Sequence, residues 1–462
     1  MNTPATPTEP DGAPRIAVLD ILRGIAILGI LFMNINDMGG SYWASSEEIR
    51  HFGWTAADQI FWWLREIFVS GTARCLLEML FGVGMVILTD RAAAALGGQA
   101  VWRGYYRRNI VLSLFGLVHI FILLWPGDIL HTYGVAALIA FLFRRLAAPA
   151  LLGIGLLMAL SQLFGLGMAL EEAQRARIEV PRLQAERAAG QALTPIEARR
   201  VTRYTAAIAE RARQKHNERR RIAREDRDRA AATGNFASWA NNAWRTMMVL
   251  WGRSDGIAAG SFLEPLFVWE AVATMLIGAG LFKWGVIQGQ RSRRFYLWLT
   301  VLAYAVGLPA RAIDAYWTTR FDGYPHLIYA TGELTRLATT LGHLGLINVI
   351  VMSVSGAALL RPFAAAGRTA LSLYVLQTLI CLWVLYPPFA LGLYGKSGWA
   401  VLMLTALVIN ILLLALANLW LRHFDIAPVE WAWRSLVERR RLRWRKRLKS
   451  GDNRLADGIA AA

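Results

Sequence analysis

Cysteine and histidine are both scarce in this chain of 462 residues. The two cysteines, Cys75 and Cys381, form no CxxC motif, and both adjoin apolar stretches. They therefore give no information about the redox compartment, and no structural disulfide is implied. The seven histidines show no metal-ligand pairing, and the chain has no P-loop and no GxGxxG phosphate cradle. We therefore expect neither a metal site nor a nucleotide-phosphate loop.

The chain also lacks a recognisable cleavable leader. Its first ten residues are polar and contain proline, and no basic segment precedes the first apolar stretch. A secretory signal peptide begins with such a basic segment, so residues 17–38 are predicted to remain as a membrane anchor. Residues 1–14 are predicted to form a disordered tail.

Acidic residues are outnumbered by basic ones, 32 to 50, which gives a net charge of +18. Such a charge could suggest a nucleic-acid partner. However, the Lys and Arg residues cluster beside apolar runs, and this placement is typical of topology signals and lipid-headgroup contacts. We therefore expect the lipid bilayer as a partner and no nucleic acid.

Hydrophobic residues are abundant, at 56% of the chain, and include 19 Trp. The mean hydropathy is positive, at +0.37. Apolar runs of spanning length recur along the chain, so we predict an all-α, polytopic membrane helix bundle. About ten transmembrane helices are predicted, at residues 17–38, 74–90, 109–125, 132–143, 150–170, 263–286, 295–313, 334–360, 369–386 and 399–421.

The bundle is predicted to have two membrane halves, residues 15–170 and 262–432. Residues 58–70 are predicted to form an interfacial or re-entrant helix, because their apolar core is too short to cross and contains Arg65 and Glu66. The positive-inside rule then puts both termini in the cytoplasm, with residues 433–462 as a basic cytoplasmic tail. This arrangement fits a multi-pass protein of an inner (plasma) membrane, and a homodimer stays open.

Residues 171–261 separate the two halves as an outer helical insert rich in Ala, Arg and Glu. This composition is typical of solvated, salt-bridged helices. Pro181 and Pro195 are predicted to break the insert into helical pieces. It is interpreted as a surface hairpin without a catalytic role, or alternatively as a lid or a partner-docking element.

A polar stripe lies on the first predicted membrane helix. Arg23 and Asn34 are eleven residues apart, close to three full turns, so they project from one face about 16 Å apart. Asp20 lies three residues before Arg23 on the same face. The stripe would suit a substrate reached from both sides of the membrane. Alternatively, Asp20 and Arg23 form an anchoring ion pair, and Asn34 makes an interhelical hydrogen bond.

Other polar residues are candidates for chemistry. His51, in the loop after this helix, is the candidate general base, and Asp58 could fix its tautomer. Asp128 and His131 occur in GDILHTYG, where capping and turn formation are the alternative. Buried carboxylates are expected to pair with arginines, so we predict that Glu78 and Glu270 pair with residues such as Arg74 or Arg311.

Six segments resemble the YeiB-like family of bacterial integral membrane proteins: LDILRGIAILGILFMNI, GGSYW, SGTARCLLEMLFGVG, GDILHTYG, GRTALSLYVLQTLI and APVEWAWRSL. They occur in the family's order from about residue 15 to residue 436. The resemblance implies a polytopic membrane fold. It implies no activity, because that family has largely been described without one.

The opening segment also resembles the transmembrane acyltransferase superfamily, which includes heparan-alpha-glucosaminide N-acetyltransferase. The matching positions are Arg23, Gly24, Asn34, Gly39, Gly40, Tyr42, Trp43, His51, Trp54 and Asp58. The resemblance implies transfer of an acyl group from cytoplasmic acyl-CoA, above all acetyl-CoA, to an acceptor at the outer face. The acceptor would be an envelope glycan, a lipid or a small metabolite. The loop between Asn34 and His51 is longer than in the family pattern.

The resemblance also implies roles for individual residues. His51 would be the base and Asn34 would orient it or the thioester. Substrate or cofactor contacts would come from Arg23, Arg103, Arg107, Arg108, Trp54, Asp128 and His131, with the arginines on the CoA phosphates. Topology signals and lipid contacts are the alternative for these arginines. A transporter or exporter, and a non-enzymatic membrane scaffold, are the alternative functions.

Overall fold

The computed structural model describes residues 17–96, 98–230, 236–250, 263–321 and 326–445. The predicted disordered tail, residues 1–14, and most of the predicted basic tail lie outside this range. Within it, the only β-type pairing is an isolated bridge between Phe424 and Arg445. The helices are α1 Ala17–Gly39, α2 Ala44–Glu47, α3 Ala56–Leu64, α4 Thr72–Leu96, α5 Gly98–Phe121, α6 Leu130–Ala140, α7 Ala148–Ala188, α8 Pro195–Ala230, α9 Phe236–Leu250, α10 Leu263–Lys283, α11 Arg293–Thr318, α12 Gly332–Val351, α13 Val354–Arg368, α14 Ala370–Leu379, α15 Trp399–His423 and α16 Pro428–Glu438. The predicted all-α bundle is confirmed.

Seven segments of the described chain are long and apolar enough to cross a membrane: Ala17–Gly39, Ala56–Asp90, Ala148–Ala188, Glu264–Lys283, Arg293–Thr318, Leu327–Val351 and Trp399–His423. An eighth is obtained if Val354–Arg368 and Ala370–Leu385, bent by 76°, form one span. This is fewer than the ten predicted. Residues 132–143 lie in a short apolar helix. Of the predicted span 109–125, residues 109–121 lie in α5, whose first half carries three arginines.

Residues 58–70, predicted as an interfacial or re-entrant helix, belong to α3 and to a π-helical turn, Arg65–Val69, that leads into α4. The turn closes at Gly71, whose φ of 72° lies in the left-handed region that glycine tolerates. A π-turn leaves carbonyl groups without helical partners. The buried Arg311 supplies donors to two of them, the carbonyls of Glu66 and Ser70.

The end of the bundle at Gly39, where α1 finishes, is called the arm end. The end at Ala17, where α1 begins, is called the tail end. α1 crosses α13 at a point that tolerates only glycine: a Cβ on Gly24 would lie 1.9 Å from the Phe363 carbonyl oxygen. A Cβ on Gly367 would lie 1.9 Å from the Asp20 carbonyl oxygen. Such small residues let membrane helices approach closely and gain van der Waals contact.

α7 runs without interruption from the membrane bundle into the predicted insert. Pro181 lies inside this helix, so the prediction that Pro181 breaks the insert is wrong, whereas Pro195 begins α8 as predicted. A small cluster of Val180, Leu183 and Val201 holds the two helices together and maintains α7 past the proline. We call residues 171–230, the last part of α7 and all of α8, the arm.

Candidate functional site

A polar cavity of about 760 Å³ lies at the arm end of the bundle. It is enclosed by the end of α1, the turn between α3 and α4, the loop between α5 and α6, and helices α10 to α12. Asn34, Asp128 and His131, three of the predicted site residues, line it. Besides Asp128, the Asp, Glu and Arg residues of the lining are Asp37, Arg65, Glu66, Arg74, Glu78, Glu264, Arg311, Asp314, Glu333 and Arg336.

One wall of this cavity is an ion-pair cluster inside the membrane bundle. Arg74 bonds to Glu270, and its Nε lies 3.7 Å from Glu78 Oε1. Arg336 lies 3.1 Å from Glu78, 2.9 Å from Glu270 and 2.8 Å from Glu333. The predicted pairing of Glu78 and Glu270 with Arg74 is confirmed. Buried charges are costly unless they are paired, so the cluster keeps these side chains in place inside the bundle.

His131 faces the same cavity from the first turn of α6. Its Nδ1 lies 2.8 Å from the Ser113 hydroxyl, which is also 3.5 Å from the His131 carbonyl oxygen. If the hydroxyl donates to that carbonyl, Ser113 accepts the Nδ1–H and Nε2 carries the lone pair. The Nε2 atom lies 3.9 Å from Glu264 Oε1. In that tautomer the His131 Nε2 atom can accept a proton, with the Glu264 carboxylate nearby.

The backbone at His131 is fixed by a buried histidine–aspartate pair that the sequence analysis missed. His119 Nδ1 lies 2.7 Å from Asp128 Oδ1, and the other carboxylate oxygen accepts the His131 backbone N–H at 2.8 Å. An ionised carboxylate only accepts hydrogen bonds, so His119 Nδ1–H donates and Nε2 accepts from Thr378 at 2.9 Å. Gly116 admits this loop, since a Cβ there would lie 2.2 Å from the His131 nitrogen.

The predicted base His51 lines neither this cavity nor the second one described below. Its Nε2 lies 2.9 Å from Asp226 Oδ2 at the end of α8. The hydrogen bond to Asp226 raises the pKa of the His51 imidazole above its ordinary value. Beside it, Glu225 accepts a 2.5 Å hydrogen bond from the Ser41 hydroxyl. His51 therefore fastens the arm to the loop after α1.

Asp58 does not orient His51. Its carboxylate forms a capping box with Thr55 at the start of α3 and accepts the Ala400 backbone N–H at 3.0 Å. Trp54 lines neither cavity and packs edge-on against Trp62. The structure thus does not bring the predicted trio of Asn34, His51 and Asp58 together.

A second cavity, of about 220 Å³, lies at the tail end. Arg23 and Arg108 line it, as do Arg368 and Arg434, which the sequence analysis did not single out. Arg23 pairs with Asp20 at 3.3 Å, as one interpretation predicted. The deeper walls are apolar, with Leu77, Leu80, Phe81, Met85 and Leu112. Arg103 and Arg107, also predicted for this role, do not line it.

The two cavities share part of their lining. Ile129 and Tyr133, at the start of α6, line both. Along α1, Asp20 lines the tail-end cavity and Asn34 the arm-end cavity, fourteen residues or about 21 Å apart. The molecule therefore has two cavities, here also called chambers, at opposite ends of the bundle, and the start of α6 lies between them.

Comparisons with known proteins give relatives over nearly the whole chain. Residues 281–440 match the family described as "Protein of unknown function (DUF418)". The chain is 28% identical over 432 residues to the uncharacterized protein YeiB of Escherichia coli (strain K12), covering 92% of this chain and 97% of YeiB. It is 27% identical over 431 residues to the uncharacterized protein YxaH of Bacillus subtilis (strain 168), covering 91% and 94%. The predicted resemblance to the YeiB-like proteins is confirmed; the resemblance to the acyltransferases stays a prediction.

Proposed function

We propose that this multi-spanning membrane protein, which resembles YeiB and YxaH over nearly its whole length, is an acyltransferase working through the two cavities. The acyl-CoA donor would bind in the tail-end cavity, and a hydroxyl- or amine-bearing acceptor would bind in the arm-end cavity. One observation carries the proposal: Ile129 and Tyr133 line both cavities, so a donor bound in the tail-end cavity and an acceptor bound beside His131 in the arm-end cavity would meet at these residues. In this proposal the tail end faces the cytoplasm of a bacterium and the arm end faces outward.

The tail-end cavity has the chemistry that a CoA ester needs. Four guanidinium groups line it, from Arg23, Arg108, Arg368 and Arg434. Arginine binds phosphate oxygens through charge-assisted, often bidentate hydrogen bonds. The apolar inner part would hold the extended pantetheine arm and the thioester, while the nucleotide would stay at the arginine-lined mouth.

The arm-end cavity would supply the base, with His131 in the role predicted for His51. The acceptor's O–H or N–H proton would pass to His131 Nε2 as the acceptor attacks the thioester carbonyl carbon. The new C–O or C–N bond forms, the C–S bond breaks, and the departing CoA sulfur takes the proton back from His131. No covalent enzyme intermediate is needed. The nearby carboxylate of Glu264, 3.9 Å from Nε2, would stabilise the transient imidazolium.

Paired histidine variants test the proposal. Purified protein is assayed for binding and turnover of acetyl-CoA, with wild type, His131→Ala and His51→Ala compared side by side. Loss of a general base lowers kcat by about 10²–10⁴-fold, so we expect this loss for His131→Ala and near-wild-type turnover for His51→Ala.

The outcomes separate the parts of the proposal. Absence of acyl-CoA binding and turnover in the wild type, with short- and long-chain donors alike, would contradict the acyltransferase function. Turnover that His131→Ala leaves intact would contradict only the choice of base, and loss in His51→Ala alone would restore the original assignment.

A transporter is the second candidate, and one observation favours it. α13 and α14 form a bent pair whose junction, at Arg368 and Ala370, lines the tail-end cavity. Discontinuous membrane helices with a site at the break are typical of secondary transporters. Uptake of a solute by proteoliposomes in the absence of any acyl-CoA turnover would favour this alternative.

A further inference from the structure

Tyr133 stands where the two chambers meet. The residue is 1% exposed, and it lines both the tail-end cavity and the arm-end cavity. We propose that Tyr133 is a wall that limits the length of the transferred acyl group, so that the donor is a short-chain acyl-CoA. This inference rests on the proposed acyltransferase function and names its donor class from the cavity itself.

Three contacts hold Tyr133 in place, through its hydroxyl, its ring and the backbone of the next residue. Its hydroxyl donates a 3.1 Å hydrogen bond to the Arg74 carbonyl oxygen on α4. Phe81, also on α4, meets it edge-on with ring centroids 5.1 Å apart. The next residue, Gly134, lies so close to α5 that a Cβ there would be 2.8 Å from the Asn109 carbonyl oxygen. These contacts hold the Tyr133 ring at the boundary between the two cavities.

The position of the thioester follows from the shared wall. Transfer requires the donor carbonyl and the acceptor to meet within bonding distance, so in this proposal they meet beside Ile129 and Tyr133, which line both cavities. The pantetheine arm would fill the 220 Å³ of the tail-end cavity up to that boundary. An acyl tail longer than a few carbons would then extend into the Tyr133 ring, whereas an acetyl or propionyl group would fit beside it.

Two substitutions separate the ring from its hydroxyl. Tyr133→Ala removes the wall, and Tyr133→Phe keeps it and removes only the hydrogen bond to Arg74. The measurement is kcat/KM for acetyl-, butyryl- and octanoyl-CoA. Because a pocket discriminates by about tenfold or more for each methylene that it excludes, we expect Tyr133→Ala to raise the octanoyl-to-acetyl ratio at least about tenfold. Tyr133→Phe should keep the wild-type order.

Ile129→Ala is a second test variant in case Tyr133→Ala does not fold, because Ile129 lines the same boundary and its truncation also widens it. It should shift the ratio in the same direction. A wild type that prefers octanoyl-CoA would overturn the inference. The inference would also be overturned if Tyr133→Ala were folded and active and kept the wild-type order of chain-length preference. If Tyr133→Ala does not fold, an unchanged order in Ile129→Ala would overturn it instead. A wild type that turns over none of the three donors would instead overturn the proposed function.

Discussion

Replacing Asp128 with asparagine changes one carboxylate oxygen to an amide nitrogen and keeps the shape of the side chain. In the wild type the two oxygens have different partners, His119 Nδ1 at 2.7 Å and the His131 backbone N–H at 2.8 Å. The Asp128 side chain is 0% exposed, so water cannot replace either partner. An asparagine can accept only one of these bonds.

The expected loss of stability follows from that geometry. The amide oxygen can keep the His131 N–H, and the amide nitrogen can donate to His119 if the imidazole changes tautomer and donates Nε2–H to Thr378. Hydrogen bonds to a charged group contribute about 1.5–3 kcal/mol and neutral ones about 1 kcal/mol. Asp128→Asn should therefore cost about 2 kcal/mol. Asp128→Ala leaves two buried donors unsatisfied and should cost about 4 kcal/mol, since each costs about 1–3 kcal/mol.

The assay is thermal unfolding of the variants in one detergent, with Thr378→Val as the control. That control removes only the partner of His119 Nε2, a loss of about 1 kcal/mol. We expect the midpoint to fall in the order wild type, Thr378→Val, Asp128→Asn, Asp128→Ala. Asp128→Ala should also lower kcat by about tenfold or more, because it removes the acceptor of the His131 backbone N–H and loosens the backbone there. An Asp128→Ala variant as stable as Thr378→Val would refute the reasoning.

Two further predictions concern charges elsewhere in the bundle and the arm. Arg336→Met should destabilise the protein by about 3–5 kcal/mol, because it leaves buried carboxylates without their cation; Arg336→Lys should lose less, and equal unfolding midpoints would contradict this. The contact between His51 and Asp226 should weaken as the pH rises. The pKa of His51 is raised in the folded protein, so its stabilising contribution is complete below the ordinary histidine pKa and is lost as pH rises through the raised value. Both side chains are about one-third exposed, so the contribution is under about 1 kcal/mol. Limited proteolysis of the arm should accelerate from pH 6 to pH 9 in the wild type, and His51→Ala should be cleaved equally at both; a pH response in that variant would show that another group is responsible.

Local patterns predicted much of the bundle. The apolar runs predict an all-α membrane protein, since only helices satisfy every backbone group within one segment of lipid-exposed chain. The cost of buried charge predicts that Glu78 and Glu270 pair with Arg74. The i, i+3 spacing predicts the pair of Asp20 and Arg23. In each case the partner is either adjacent on one helix or the only sensible type of group inside a membrane.

Contacts between distant segments were beyond such patterns. His51 meets Asp226, 175 positions later, and no local signal connects a loop to the end of a long polar helix. His119 was overlooked in an apolar run because its partner, Asp128, follows a turn. Pro181 stays within α7 because α8 packs beside it and stabilises the helix on both sides of the proline. Tertiary packing overrides local propensity in this region.

α1 gives the two chambers a common structural element. It carries Arg23 into one and Asn34 into the other, and at Gly24 it fits against Gly367 too closely to admit a Cβ. A ligand that shifts α1 in one chamber must then also shift α13, whose last turn borders the tail-end cavity. Thermodynamic linkage makes such an effect reciprocal: by whatever factor the first ligand changes the affinity for the second, the second changes the affinity for the first. Ligand binding at the two ends of the bundle would therefore be coupled through a single helix.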